Sequence, residues 1–255
     1  MQITVIIPAR YQSTRFPGKP LAKIKGRPMI EHVYQRCSQM AAVDRVIVAT
    51  DDRRIYDCVH KFGGEVQLTA ADHKSGTDRI AEVARKLAGE LIVNVQGDEP
   101  LVSESMVDSA LQPFASEPEL KMSTLKKKIT DTGKINDPDT VKVVCDSQDY
   151  ALYFSRSPLP FYRQESEGSS NVCCYQHLGL YVYRRDFLLK FTELEPTPLE
   201  CAESLEQLRA LENGYRIKVV ETDCQAIGVD RPEDISRVEK ELLNDEKNKT
   251  GNSIS

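Results

Sequence analysis

Ile3-Thr4-Val5-Ile6-Ile7-Pro8-Ala9-Arg10-Tyr11-Gln12-Ser13-Thr14-Arg15-Phe16-Pro17-Gly18-Lys19-Pro20-Leu21 decides the fold. Its first five residues form an apolar, β-branched run, the signature of a strand buried on both faces in a parallel sheet. The strand is expected to stop at Pro8. A loop then carries Arg10, Arg15 and Lys19, and Pro17, Gly18 and Pro20 prevent it from becoming a helix. Three cations at a strand's carboxyl end lie where open α/β sheets bind ligands, and with free backbone N–H groups they suit a polyphosphate. The plain alternative is a solvated basic turn.

Working outward, apolar strands alternate with amphipathic helices. Residues 28–37 place Ile30, Val33, Tyr34 and Cys37 on one helical face. Arg45–Thr50 reads as a second strand, and Ile55, Val59 and Phe62 mark the next helix. Val66–Leu68, a helix at Ile80–Leu87 and a strand at Leu91–Gln96 follow. This order predicts an α/β protein with a doubly wound, mostly parallel but mixed sheet.

The second half is different. Val141–Cys145, Ala151–Ser155 and Leu178–Tyr183 read as strands without regular helices between them, and 165–171 as a polar loop. We expect one domain over 1–243: a nucleotide half at about 1–119, a small antiparallel lobe at about 120–185, and a closing segment. The closing segment holds helices at about 186–194 and 203–212, a strand at Tyr215–Glu221 and a helix over Pro232–Leu243. Residues 244–255 carry no apolar periodicity and are expected to be disordered.

Lys+Arg 34 against Asp+Glu 39 gives a net charge of -5, which disfavours a nucleic-acid partner. The basic loop is therefore a local anion site on an acidic protein. No apolar run reaches membrane-spanning length, and no charged-then-apolar leader pattern is read at the start, so no membrane partner is expected. The seven cysteines are odd in number and scattered, with no Cys-x-x-Cys pair. They read as reduced thiols of a cytoplasmic protein, not as a disulfide framework or a zinc site. There is no P-loop and no Gly-x-Gly-x-x-Gly fingerprint.

Asp98 follows the strand at Leu91–Gln96 directly, with Gly97 permitting a sharp turn and Pro100 stiffening the exit. A carboxylate facing a polyphosphate calls for a divalent cation between them, and Mg²⁺ binds through one or two carboxylates plus phosphate oxygens. A plain turn-forming Asp is the alternative. Asp230, in Gly228-Val229-Asp230-Arg231-Pro232, is the second candidate carboxylate. Its position before Pro232 and Glu233-Asp234 suits a helix N-cap as well as a metal ligand.

Further blocks are Ser75-Gly76-Thr77-Asp78-Arg79, Val93-Asn94-Val95-Gln96-Gly97-Asp98-Glu99-Pro100, Tyr153-Phe154-Ser155-Arg156, His177-Leu178-Gly179, Leu205-Glu206-Gln207-Leu208-Arg209 and Gly228-Val229-Asp230. With the opening motif they resemble, in order, the CMP-sugar synthetases in the form of the 3-deoxy-manno-octulosonate (Kdo) cytidylyltransferases. The resemblance runs from about residue 2 to residue 240. It departs at Asp137-Pro138-Asp139-Thr140, where Asn-Pro-Asn is common, and at Val182, where Gly is frequent.

The resemblance implies a sheet of the nucleotide-diphospho-sugar transferase type and a reaction between CTP and Kdo, with Mg²⁺ held by Asp98 and Asp230. It implies Lys19, Asp98 and Asp230 as catalytic residues, and Arg10, Ser13, Arg15, Lys19, Ser75, Gly76, Thr77 and Gln96 as nucleotide contacts. Arg79, Gln96, Lys142, Arg156, His177, Tyr181, Glu206 and Gln207 would face the sugar acid. It also implies a homodimer joined through the small lobe, working in lipopolysaccharide biosynthesis. From the residues alone the alternatives stay open. Ser75 and Thr77 can simply cap a helix. Arg79 can form a surface ion pair, and His177 can be a satisfied structural histidine. Glu206 can be a solvated helix face, and Lys142 can decorate an edge strand. Other acidic sugars, such as 8-amino-Kdo or a sialic acid, fit the same contacts. Rival classes are a metal-dependent glycosyltransferase, disfavoured because Gln96-Gly97-Asp98 lacks Asp-x-Asp, and a non-catalytic sensor.

Overall fold

The computed structural model describes residues 1–13, 15–161, 173–224 and 227–251, with side chains to residue 244. The chain begins with β1 (Ile3–Ala9), a 3₁₀ turn at Lys19–Leu21, and the short pair β2 (Lys23–Ile24) and β3 (Arg27–Pro28). Next come α1 (Met29–Ser38), β4 (Arg45–Thr50), α2 (Arg53–Lys61), β5 (Val66–Leu68), α3 (Gly76–Ala84) and β6 (Leu91–Asn94). The middle holds α4 (Glu104–Leu111), α5 (Pro113–Ser116), β7 (Met122–Lys128), α6 (Gly133–Asn136), β8 (Lys142–Cys145) and β9 (Ala151–Ser155). Last are β10 (Tyr175–Arg184), α7 (Arg185–Phe191), α8 (Pro198–Glu203), α9 (Gln207–Glu212), β11 (Ile217–Glu221) and α10 (Asp234–Gly251).

Two compact units result: Met1–Gly89 with Asn94–Glu104 and Gln225–Ser255, and Glu90–Val93 with Ser105–Cys224. In the first unit β1, β4 and β5 are parallel neighbours, as the βα alternation predicts. In the second, β11 runs parallel to β7, while β7, β10, β8 and β9 pair antiparallel in succession. The α/β class with a mixed sheet is the class read from the sequence. The second unit takes in more of the chain than the lobe expected at 120–185.

Boundaries moved where local chemistry outweighs the apolar pattern. β1 continues through Pro8, opposite Ala49, to Ala9. α3 starts at Gly76, ahead of its apolar stripe, because Ser75 and Asp78 close a capping box. The helix expected at 203–212 starts later, at Gln207, and a separate helix α8, not read from the sequence, precedes it and ends at Ser204, whose φ is 51°. β7 was not read from the sequence at all: Lys126-Lys127-Lys128 hides it. The closing helix was expected to stop at Leu243 but runs to Gly251. Once nucleated, a helix extends at one hydrogen bond per residue, and Lys and Glu are good helix formers, so no apolar stripe is needed. The polar loop expected at 165–171 and the tail end at 252–255 lie outside the described residues.

A buried cluster anchors α10 to the loop region of the first unit: Ile24, Met29, Leu101, Ile227, Val229, Val238 and Leu242, with Phe16, Ala22 and Ile235 against it. Phe16 comes from the cationic loop and Val229 precedes Asp230, so this apolar contact sets both segments of the site. Leu242→Ala is expected to cost about 2–4 kcal/mol in urea unfolding, as buried leucines do. Truncation after Asn244 keeps every member of the cluster and is expected to cost less than about 1 kcal/mol.

Candidate active site

Within the first unit, β1 delivers Arg10 and the loop to the sheet's carboxyl end. Gly18 sits at φ 73°, a left-handed conformation that glycine adopts without strain, and its N–H donates to the Tyr11 carbonyl at 2.8 Å. The Ser13 hydroxyl accepts the Phe16 N–H at 3.3 Å inside this loop. Lys19 then starts the 3₁₀ turn with its side chain only 13% exposed. Its Nζ lies 2.5 Å from Asp98 Oδ2 and 3.5 Å from Asp230 Oδ1, and Arg15 Nη1 is 3.8 Å from Asp230 Oδ2. The sequence-predicted catalytic residues therefore do meet at one point.

Two backbone features bring the carboxylates there. Gly97 lies so close to β1 that a Cβ would stand 3.0 Å from the Pro8 carbonyl oxygen, so the turn before Asp98 requires glycine for space. The Val229 N–H donates to the Asp98 carbonyl at 2.9 Å and ties Asp230 to that turn. The N-cap alternative for Asp230 is resolved by Asp234, whose Oδ2 accepts the N–H groups of Asp230 at 2.9 Å and Arg231 at 2.8 Å. The Asp230 carboxylate is thereby left to face the cations.

Arg10 donates from Nη2 to the His73 carbonyl at 2.7 Å and from Nη1 to Lys74 at 3.3 Å, so it braces the approach to Ser75. Its buried Nε has no hydrogen-bond partner among the described residues. Gly76 stands against Pro8 and near Gln96 Oε1, and Gln96 in turn donates to Asn94 Oδ1 at 2.9 Å. Thr77 is buried in the first turn of α3. Arg79 differs from both readings made of it, since it is neither on the surface nor aimed outward. It is fully buried, paired with Asp51 at 3.1 Å and donating to Thr69 Oγ1 and the Ala70 carbonyl. Burial lowers its pKa, and Asp51 acts against that.

The remaining sugar-site candidates fall in the second unit. Lys142 is not edge decoration: β8 is paired on both sides and the side chain is buried. All three of its donors are used, on the carbonyls of Asp137 at 2.9 Å, Thr140 at 2.6 Å and Arg156 at 2.5 Å. Arg156 donates from Nε to the Glu203 carbonyl at 2.8 Å and from Nη1 to Pro138 at 2.9 Å. The rings of His177 and Tyr181 are 5.3 Å apart. Burial, with the charge of Glu206, raises the Tyr181 hydroxyl well above its ordinary pKa. Glu206 keeps one carboxylate oxygen buried and is not a fully solvated helix residue; Gln207 is buried at the start of α9.

A cytidylyltransferase profile matches residues 4–218. The 3-deoxy-manno-octulosonate cytidylyltransferase of Geobacter sulfurreducens is 55% identical over 95% of this chain and 100% of its own length. That of Geotalea uraniireducens is 55% identical over 95% and 99%. The chain belongs to the cytidylyltransferase family. A solved CMP:2-keto-3-deoxy-manno-octonic acid synthetase, complexed with CTP, superposes with a TM-score of 0.90 at 42% identity, covering 96% of this chain and 100% of that one. The resemblance read from the ordered blocks thus holds over nearly the whole cytidylyltransferase chain.

Four residues of this cytidylyltransferase that support the site went unread in its sequence. Asp234 frees Asp230, and Asp51 holds Arg79. Glu203 fixes Arg156 by accepting the Ser155 hydroxyl at 2.6 Å and the Arg156 N–H at 2.9 Å. Thr124 answers a bulge in β10: its hydroxyl donates to the Leu180 carbonyl at 2.8 Å, with Leu178 at 3.1 Å. Its oxygen then accepts from His177 Nε2 at 2.9 Å, which makes Nε2 the protonated nitrogen. Only the capping pattern around Asp234 had a signal in sequence.

Burial lowers the His177 pKa to about 3. The folded protein therefore keeps it neutral while the unfolded chain takes up a proton below pH ~6.5. Its contribution to stability is intact above that pH and is lost as pH falls toward 3, by up to about 1.4 kcal/mol per pH unit. Urea unfolding between pH 7 and 4.5 is expected to show a shallower loss for His177→Gln than for wild type. Equal slopes would mean that His177 is protonated in the fold.

Proposed function

We propose that the enzyme transfers CMP from CTP to the anomeric hydroxyl of Kdo, releasing pyrophosphate. The observation that carries this is the Lys19 ammonium held between Asp98 and Asp230 on a loop that also bears Arg10 and Arg15. Relatives of near-equal length named for this reaction, and a CTP-bound structural neighbour, support the choice of substrates.

Arg10, Arg15 and Lys19 bind the triphosphate, and Ser75, Gly76, Thr77 and Gln96 take the base side. The sugar acid falls to Arg156, Tyr181, Glu206 and Gln207, with Lys142 and His177 holding that region's shape. Attack is in line at the α-phosphorus, and catalysis rests on positioning and on Lys19 meeting the charge that develops there.

The donor set suits Mg²⁺, since two carboxylates converge on one cation here. That matches an ion which takes one or two protein carboxylates and completes its shell with phosphate and water. Asp98 and Asp230 would hold it, and it would supply a Lewis acid that neutralises phosphate charge and acidifies a nearby hydroxyl.

Among the described residues no helix is long and apolar enough to cross a membrane. A cytoplasmic homodimer serving lipopolysaccharide assembly is the setting we infer.

The test is pyrophosphate release from CTP with and without Kdo, expected only when both are present; release without Kdo, or none with it, rejects the proposal. In the same assay Asp98→Asn is expected to leave less than about a tenth of wild-type kcat, a loss of at least ~1.4 kcal/mol. Lys19→Met is expected to lower kcat more than it raises the KM for CTP, because its contact strengthens as charge develops. An unchanged kcat would make Lys19 a ground-state anchor.

A further inference from the structure

The cationic loop is closed by a stack of side chains that none of the assigned roles explains. The guanidinium carbon of Arg54 lies 3.2 Å from the centroid of the Tyr11 ring. On the loop side, a Cβ at Gly18 would stand 3.2 Å from Cε2, Cζ and Oη of the same ring. Tyr11 therefore meets both α2, through Arg54, and the backbone that immediately precedes Lys19. Arg54 is not free to wander. Asp52 holds it with a fork of hydrogen bonds, Nε to Oδ1 at 2.9 Å and Nη2 to Oδ2 at 2.6 Å, and the same carboxylate caps α2 through the Arg54 N–H at 2.9 Å. The Gly18 N–H to Tyr11 carbonyl bond closes the loop at the same two residues.

The lever arm is short. Lys19 follows Gly18 directly, and its Nζ must reach Asp98 and Asp230. A loop whose ends are pinned has already lost the entropy that ligand binding would otherwise have to remove. We propose that Tyr11 and Arg54 are positioning residues of this enzyme: Arg54, fixed by Asp52, clamps the Tyr11 ring onto Gly18 and so presets the loop and Lys19 for the nucleotide triphosphate. This rests on the reading of the loop as the CTP site.

Two readouts separate the clamp from that reading. Trypsin cleavage at Arg15–Phe16 in the native, substrate-free protein reports opening of the loop whatever it binds. Arg54→Ala is expected to speed it by about two- to fivefold, the range that an exposed cation–π contact supplies. Tyr11→Ala is expected to speed it roughly tenfold or more, having lost the contacts to both Arg54 and Gly18. Tyr11→Phe keeps the ring and is expected to stay near wild type, and Arg54→Lys to fall between wild type and Arg54→Ala. Steady-state kinetics on the same variants should show the KM for CTP rising in parallel, with the KM for the sugar acid and the melting temperature nearly unchanged. Cleavage by trypsin at the wild-type rate in both alanine variants would overturn the clamp. Faster cleavage with an unchanged KM for CTP would keep the clamp but overturn its presetting of the nucleotide site, and failure of CTP to slow cleavage of the wild-type protein would separately overturn the assignment of CTP to this loop.

Discussion

One ammonium group shared by two carboxylates organises the first unit. Lys19, Asp98 and Asp230 lie far apart in the chain, yet Asp98 and Asp230 both approach Nζ within 3.5 Å. Two carboxylates brought together without a cation would repel one another. The cation removes that penalty and leaves a near-neutral site, with Arg15 beside it. Apolar contacts supply the geometry: Phe16 and Val229 sit in one buried cluster, and the charges ride on residues next to them.

What the sequence made legible was the part that depends on local pattern. β1, β4 and β5 are short apolar runs, and α1 and α2 carry clear stripes, so their type and order could be read directly. Pattern fails where tertiary contacts change the cost of a residue. Lys126 looks like one of a solvated run of three. In the fold it is buried, bonded to Asp149 at 2.6 Å and set 4.8 Å from the Tyr175 ring, so a lysine tract becomes an interior strand. Ser204 shows another limit, since nothing in its neighbours announces the left-handed turn that ends α8 and delays the expected helix to Gln207.

The site was legible to the same limit. Charge type and strand-end position pointed to Lys19 and Asp98, while Asp230 suited an N-cap as well and was chosen only by the family resemblance. Which polar group satisfies which could not be read. Asp230 and Asp234 are equivalent as capping signals, and only the folded backbone shows that Asp234 takes the N–H groups. The residue-level alternatives placed Arg79 in a surface ion pair and Lys142 on an exposed edge, and both are buried.

Those two inward cations follow one rule. A buried charge is tolerated only when its donors are met, and a flexible connection carries carbonyls that also need partners. Lys142 answers both needs at once: its three donors gather the carbonyls of Asp137, Thr140 and Arg156, closing the turn before β8 onto the strand end that bears Arg156. Arg79 does the same for Thr69 and Ala70 beyond β5, with Asp51 balancing its charge. In each case the cation fixes the stretch of chain around it. Replacing it with a residue of the same size but no charge would leave carbonyls unmet.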